Sequence, residues 1–119
     1  MSASPCRVLI VDDDNDTREA LKEALSEAGF EVAQAASGDE ALRRIAQDGE
    51  PNVILLDLRM PGMDGEQFLQ RVRGGQARVI VLTAEAPGRI LDLAREAKLL
   101  SKPIDLDSLE EAVREACAA

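Results

Sequence analysis

A chain of 119 residues has room for one domain around one core, and 45% hydrophobic with 31% charged residues is a globular composition rather than a disordered one. Fourteen basic against 23 acidic side chains leave a formal net charge of −9, and the chain has no histidine, tryptophan or tyrosine. Those absences exclude a histidine general base, a Ser-His or Cys-His nucleophile, a histidine-ligated metal and a phosphohistidine formed on this chain, and with the negative charge they argue against a nucleic-acid surface.

Residues 1–5 are expected to be loose, leaving a single domain over 1–119. The first apolar run, Arg7–Val11, stops at Asp12-Asp13-Asp14 and is far too short for a signal peptide or a membrane span. It reads as a buried strand, as do Val53–Leu56 and Val79–Leu82. Phe30–Ala35 interleaves Glu31 and Gln34 with apolar residues and suits an edge strand, and Leu99–Leu100 is a fifth, shorter candidate. Helix-length stretches lie between. Leu21, Ala24, Leu25 and Ala28 recur at helical spacing before a stop at Gly29. Ser37-Gly38-Asp39-Glu40 has the form of a capping box, and Asp64-Gly65-Glu66-Gln67 opens a third helix in the same way. Pro87 suits the first turn of a fourth, with Ile90, Leu91 and Ala94. The last helix presents Leu106, Leu109, Val113 and Ala116, with Asp105 or Asp107 near its cap.

Five strand–helix units in alternation predict an α/β fold, a five-stranded parallel sheet with helices on both faces. Of the two doubly wound strand orders, 2-1-3-4-5 puts the polar second strand at an edge and is preferred. Cys6 and Cys117 are too few and too far apart for a zinc site or a disulfide framework. Reduced thiols in a cytoplasmic protein are the favoured reading, with a single bridge between them left open.

Ligands of such a sheet bind beyond the carboxyl ends of its strands. There the first strand runs into Asp12-Asp13-Asp14, the third into Asp57 and the fourth into Thr83, and Lys102-Pro103 follow the fifth. Carboxylates about 4 Å apart at an effective dielectric of 20 repel by roughly 4 kcal/mol per pair. A lysine or a hard divalent cation of the Mg²⁺ type offsets that repulsion, since the ligands are oxygen only. Asp14 and Asp64 read as helix caps. Asp57 stands apart, because a carboxylate after Val53-Ile54-Leu55-Leu56 gains nothing structurally.

Val8-Leu-Ile-Val-Asp12-Asp13-Asp14, Val53-Ile-Leu-Leu-Asp57-Leu-Arg-Met-Pro61-Gly-Met-Asp-Gly65, Val79-Ile-Val-Leu-Thr83-Ala84 and Ser101-Lys102-Pro103 together resemble the receiver domain of two-component response regulators, from Arg7 to about Ala116. The resemblance implies a flavodoxin-like fold and a phosphorelay role. Asp57 would accept a phosphoryl group from a phosphohistidine on a sensor histidine kinase or histidine phosphotransfer protein. Asp13 and Asp57 would ligate Mg²⁺ directly, Asp12 mainly through water, and the backbone carbonyl of Arg59 would add a ligand. Thr83 would hydrogen-bond a phosphoryl oxygen and Lys102 pair with another, with Lys102–Pro103 a cis peptide. Thr83 and Leu99 would form the switch that signals to a downstream protein target. Neither direct nucleic-acid nor membrane binding is implied. Where the family commonly has Tyr or Phe three residues before the lysine, this chain has Leu99, and Glu96-Ala97-Lys98 stand where many members carry Gly-Ala. Thr83 to Lys102 spans 19 positions, a few fewer than usual, so the fourth helix is expected to be short or displaced. Two rivals are a haloacid-dehalogenase-like phosphohydrolase using Asp12-Asp13-Asp14, which leaves Asp57 unexplained, and a degenerate receiver serving only to bind.

Overall fold

In the computed structural model, five parallel strands form one sheet: β1 (Arg7–Val11), β2 (Glu31–Ala35), β3 (Val53–Asp57), β4 (Arg78–Thr83) and β5 (Lys98–Ser101), in the order β2-β1-β3-β4-β5. Among the described residues four helices accompany them: α1 (Asn15–Glu27), α2 (Gly38–Asp48), α3 (Gly65–Val72) and α4 (Leu106–Ala118). The structure describes residues 5–57, 65–72, 75–83, 98–101 and 104–118, with side chains at 65, 66, 83, 98, 99 and 101 left aside. The expected fourth helix around Pro87–Ala94 lies outside the described residues, so α4 is the helix expected last.

The strand order follows from burial. All five residues of β3 are buried, as a central strand with both faces covered requires, whereas β2 is mostly half-exposed and takes the edge. Side chains alternate between faces, so each strand feeds two cores. Leu9, Val11, Ile54, Leu56 and Val81 meet Ala41 of α2 and Phe68, Leu69 and Val72 of α3. Val8, Ile10, Val53, Leu55, Ile80 and Leu82 meet Leu21 and Leu25 of α1 and Leu109, Ala112 and Val113 of α4.

The helix ends are set by identifiable bonds. Gly29 adopts φ +100° after α1, its N–H donates to Ser26 O at 3.1 Å, and the N–H of Phe30 donates to Leu25 O at 3.1 Å. That is a Schellman motif, and it turns the chain directly into β2. Ser37 Oγ accepts from the N–H of Glu40 at 3.1 Å, as expected for a capping box. The Glu40 carboxylate reaches back one residue further than the usual box, accepting from the N–H of Ala36 at 3.1 Å. Of the two candidate caps on the last helix the structure uses Asp105, whose carboxylate accepts from the Ser108 hydroxyl at 2.7 Å and its N–H at 3.3 Å.

One expectation is overturned. Cys6, just before β1, and Cys117, in the last turn of α4, are joined in a disulfide, their Cα atoms 6.0 Å apart. Separation in sequence carries no information on distance in space, and here the fold brings residues 111 positions apart into bonding range. A covalent loop of this size removes entropy from the unfolded chain worth on the order of 4–5 kcal/mol.

Two outcomes test this account of the helix ends. An added Cβ at Gly29 meets no atom within 4 Å, so Gly29→Ala pays only for the backbone conformation. It should lower unfolding free energy by about 1 kcal/mol in a urea titration, with m unchanged. The Ser108 hydroxyl, followed by backbone donors, holds the Asp105 carboxyl below its ordinary pKa of 3.8. The cap is therefore fully formed above pH 4 and lost as pH falls through the lowered value. Amide exchange in the first turn of α4 should accelerate only there, and at every pH in Asp105→Ala.

Candidate functional site

The carboxyl edge of the sheet gathers three aspartates. The β1–β3 register pairs Val11 with Leu56, and the N–H of Asp12 donates to Ala35 O at 3.1 Å, carrying the β1–β2 ladder one residue past β1. The next step of the register sets Asp12 alongside Asp57. Both are buried, at 1% and 5% exposure, while Asp13 is exposed. Asp12, Asp13 and Asp57 each present a carboxylate oxygen within 4.8 Å of the others.

Asp12 is oriented by its neighbours. Its Oδ1 accepts from the N–H of Asp14 at 2.9 Å, a local bond that turns the carboxylate back over the start of α1. Asp14 itself takes the N-cap position of α1. Its C=O accepts from the N–H of Arg18 at 3.0 Å and its carboxylate accepts from the Thr17 hydroxyl, so Asp14 holds the expected N-cap position but its side chain bonds a hydroxyl in place of a first-turn backbone N–H. The Asp12 carbonyl accepts from Arg18 Nη1 at 2.8 Å, while Arg18 Nε donates to Gln34 Oε1 at 3.0 Å and Nη2 donates to Asn15 Oδ1. One guanidinium thus ties α1, edge strand β2 and the acidic loop together. Sequence reasoning missed Arg18, since an arginine in a helix's first turn carries no signal of which carbonyl it will reach.

The remaining expected residues are placed by backbone or lie outside the described residues. β3 pairs Asp57 with Leu82 of β4, so Thr83 stands one position beyond Asp57's partner, itself opposite Ser101. Leu99 pairs with Val81 in β5. Arg59, Pro61, Asp64, Lys102 and the Lys102–Pro103 peptide lie outside the described residues.

At 4.8 Å and an effective dielectric of 20, each pair of these carboxylates repels by roughly 3–4 kcal/mol. Folding brings them together regardless, so the arrangement suits a positive ligand. The donors are oxygens only and two of three are buried, which fits a hard divalent cation of the Mg²⁺ or Ca²⁺ kind and not a soft metal.

Comparison with known proteins places the chain in a family. The model of the response regulator receiver domain matches residues 8–114. Sporulation initiation phosphotransferase F of Bacillus subtilis is 36% identical over 116 residues, covering 91% of this chain and 90% of that protein. Regulatory protein AtoC of Escherichia coli is 40% identical over 118 residues, but those are 92% of this chain and only 25% of AtoC. The chain thus spans nearly all of one relative and a quarter of the other. Among solved structures, Vibrio cholerae chemotaxis protein CheY4 superposes with a TM-score of 0.87 at 29% identity, over 95% of this chain and 99% of that one. A CheY-like receiver domain protein from Methanospirillum hungatei JF-1 does so with 0.87 at 30% identity, over 97% and 95%. Sequence family and three-dimensional likeness agree along almost the full length: the chain belongs to the receiver domains of response regulators, the phosphorelay modules of two-component signalling.

Proposed function

We propose that Asp57 is the phosphoryl acceptor of this receiver domain and that Asp12 and Asp13 join it in holding Mg²⁺. The observation that carries the reading is the meeting of three carboxylates from two adjacent strand ends, two of them buried. In the transfer, an Asp57 oxygen forms a bond to phosphorus while the P–N bond of a donor phosphohistidine breaks, its electron pair returning to the imidazole nitrogen. The product is an acyl phosphate on Asp57. Bound Mg²⁺ supplies positive charge that offsets the negative charge of the carboxylates and the incoming phosphoryl oxygens. Asp12, fixed through Asp14 N–H and Arg18, would act on the ion mainly through water and needs no reorganisation to do so. By the family resemblance, the backbone carbonyl of Arg59 would complete the protein ligands, Thr83 and Lys102 would receive the phosphoryl oxygens, and Thr83 with Leu99 would carry the change to the signalling surface.

Receiver domains take phosphoryl groups from histidine kinases or histidine phosphotransfer proteins, and a donor of that kind, with a downstream protein target, is proposed here. The Bacillus relative is named a phosphotransferase and is covered over 90% of its length, which supports a relay role. Among the described residues no helix is long and apolar enough to cross a membrane, consistent with the proposed cytoplasmic location.

Acetyl phosphate with Mg²⁺ should label Asp57, seen as a phosphate mass on the peptide containing it. Asp57→Asn and chelation of Mg²⁺ should each abolish the label; label on Asp12 instead would favour the hydrolase reading. Asp12→Asn keeps an Oδ1 acceptor for Asp14 N–H but removes one charge. It should raise metal-free stability by about 1–2 kcal/mol while cancelling the gain from Mg²⁺, which for the unaltered protein is about 2.7 kcal/mol at a hundredfold excess over Kd. Arg18→Ala removes no ligand, yet should weaken Mg²⁺ binding by about tenfold in a calorimetric titration, as losses of supporting bonds around metal sites do.

A further inference from the structure

We propose that Cys6 and Cys117 form a reversible thiol–disulfide exchange site, opened and closed by small disulfides and thiols of the glutathione class, that latches the last turn of α4 to the sheet. Three observations carry it. The cysteines are bonded, so the fold already holds both sulfurs in reach of each other. Both residues are half-buried, resting on the core that contains Val8, Leu109 and Val113 with part of each still exposed to solvent. Finally, past Val113 α4 packs on the core only through the half-buried Ala116 and Cys117, while Arg114, Glu115 and Ala118 are exposed and no basic side chain in the last turn complements the helix dipole.

The site is separate from the aspartates. Cys6 precedes β1 and Asp12 follows it, so the five residues of the strand set them about 17–20 Å apart, at opposite edges of the sheet. The latch therefore stands or falls independently of the phosphoacceptor reading. Oxidation proceeds as two exchanges. A thiolate of one cysteine attacks a sulfur of the small disulfide, forming a mixed disulfide and expelling one thiolate. The second cysteine's thiolate then attacks the protein sulfur of that mixed disulfide and expels the other. Two protein thiols lose two electrons and two protons, and one small disulfide becomes two thiols.

The test equilibrates the full chain with glutathione mixtures of stepped reduced-to-oxidised ratio, without denaturant, then quenches with acid and counts thiols by alkylation and mass. The expected result is one transition between a form with two free thiols and a form with none, both keeping the circular dichroism of the folded domain. The reduced form should melt about 10–20 °C lower. Its amides at residues 114–118 should exchange about tenfold faster while those of β3 are unchanged. The Cys6→Ser/Cys117→Ser double variant should reproduce the reduced pattern at every ratio. Resistance to reduction at all ratios, arrest at glutathione adducts, unfolding on reduction, or equal exchange at 114–118 in both forms would each overturn the proposal.

Discussion

The parallel pairing of β1 with β3 is the constraint on which the rest of the molecule turns. It sets two carboxylates side by side at the end of two apolar strands, where each is almost fully shielded from water. Neither strand could end otherwise without moving the site. The apolar residues that lead each strand to Asp12 and Asp57 are the ones that form the two cores, alternating residue by residue between the faces. Stability and the proposed chemistry are therefore built from one set of strands, and the charge repulsion at their ends is the tension that a bound cation would relieve.

Around that pairing, the short-range structure isolates roles that a run of three aspartates leaves ambiguous. Asp12 belongs to the extended ladder, Asp13 faces solvent and still reaches the cluster, and Asp14 is absorbed by the start of α1. Three identical side chains acquire three functions from backbone geometry alone. The same economy appears at the other end of the chain, where Asp105, and not Asp107, receives the donors of Ser108.

Much of this was legible in the residue pattern, for physical reasons. Continuous Val, Ile and Leu runs at 8–11, 53–56 and 79–82 can be shielded on both faces only inside a parallel sheet, and Glu31 with Gln34 marked the strand that could not be. Asp57 stood out because a charge after a buried run needs a reason. Strand ends shifted by a residue, as when β3 took in Asp57 itself, because the hydrogen-bond ladder continues past the last apolar side chain. Two features were not legible. The Cys6–Cys117 bond joins the opposite ends of the sequence, and no local pattern encodes which helix end returns to the first strand. Arg18 is one of many surface-type arginines, and its partners exist only once β2 lies beside β1.

That guanidinium has a consequence for the border of the sheet. Among the described residues no strand lies beyond β2, whose outward row of backbone groups forms a margin of the kind that invites sliding or recruitment of foreign strands. A slip of one residue would invert every β2 side chain, moving Ala33 and Ala35 out of their core and carrying Gln34 out of reach of Arg18. Because Arg18 also grips the Asp12 carbonyl, fraying of the margin and loosening of the acidic loop are one event, and the least protected strand acts as guarantor of the most buried charge.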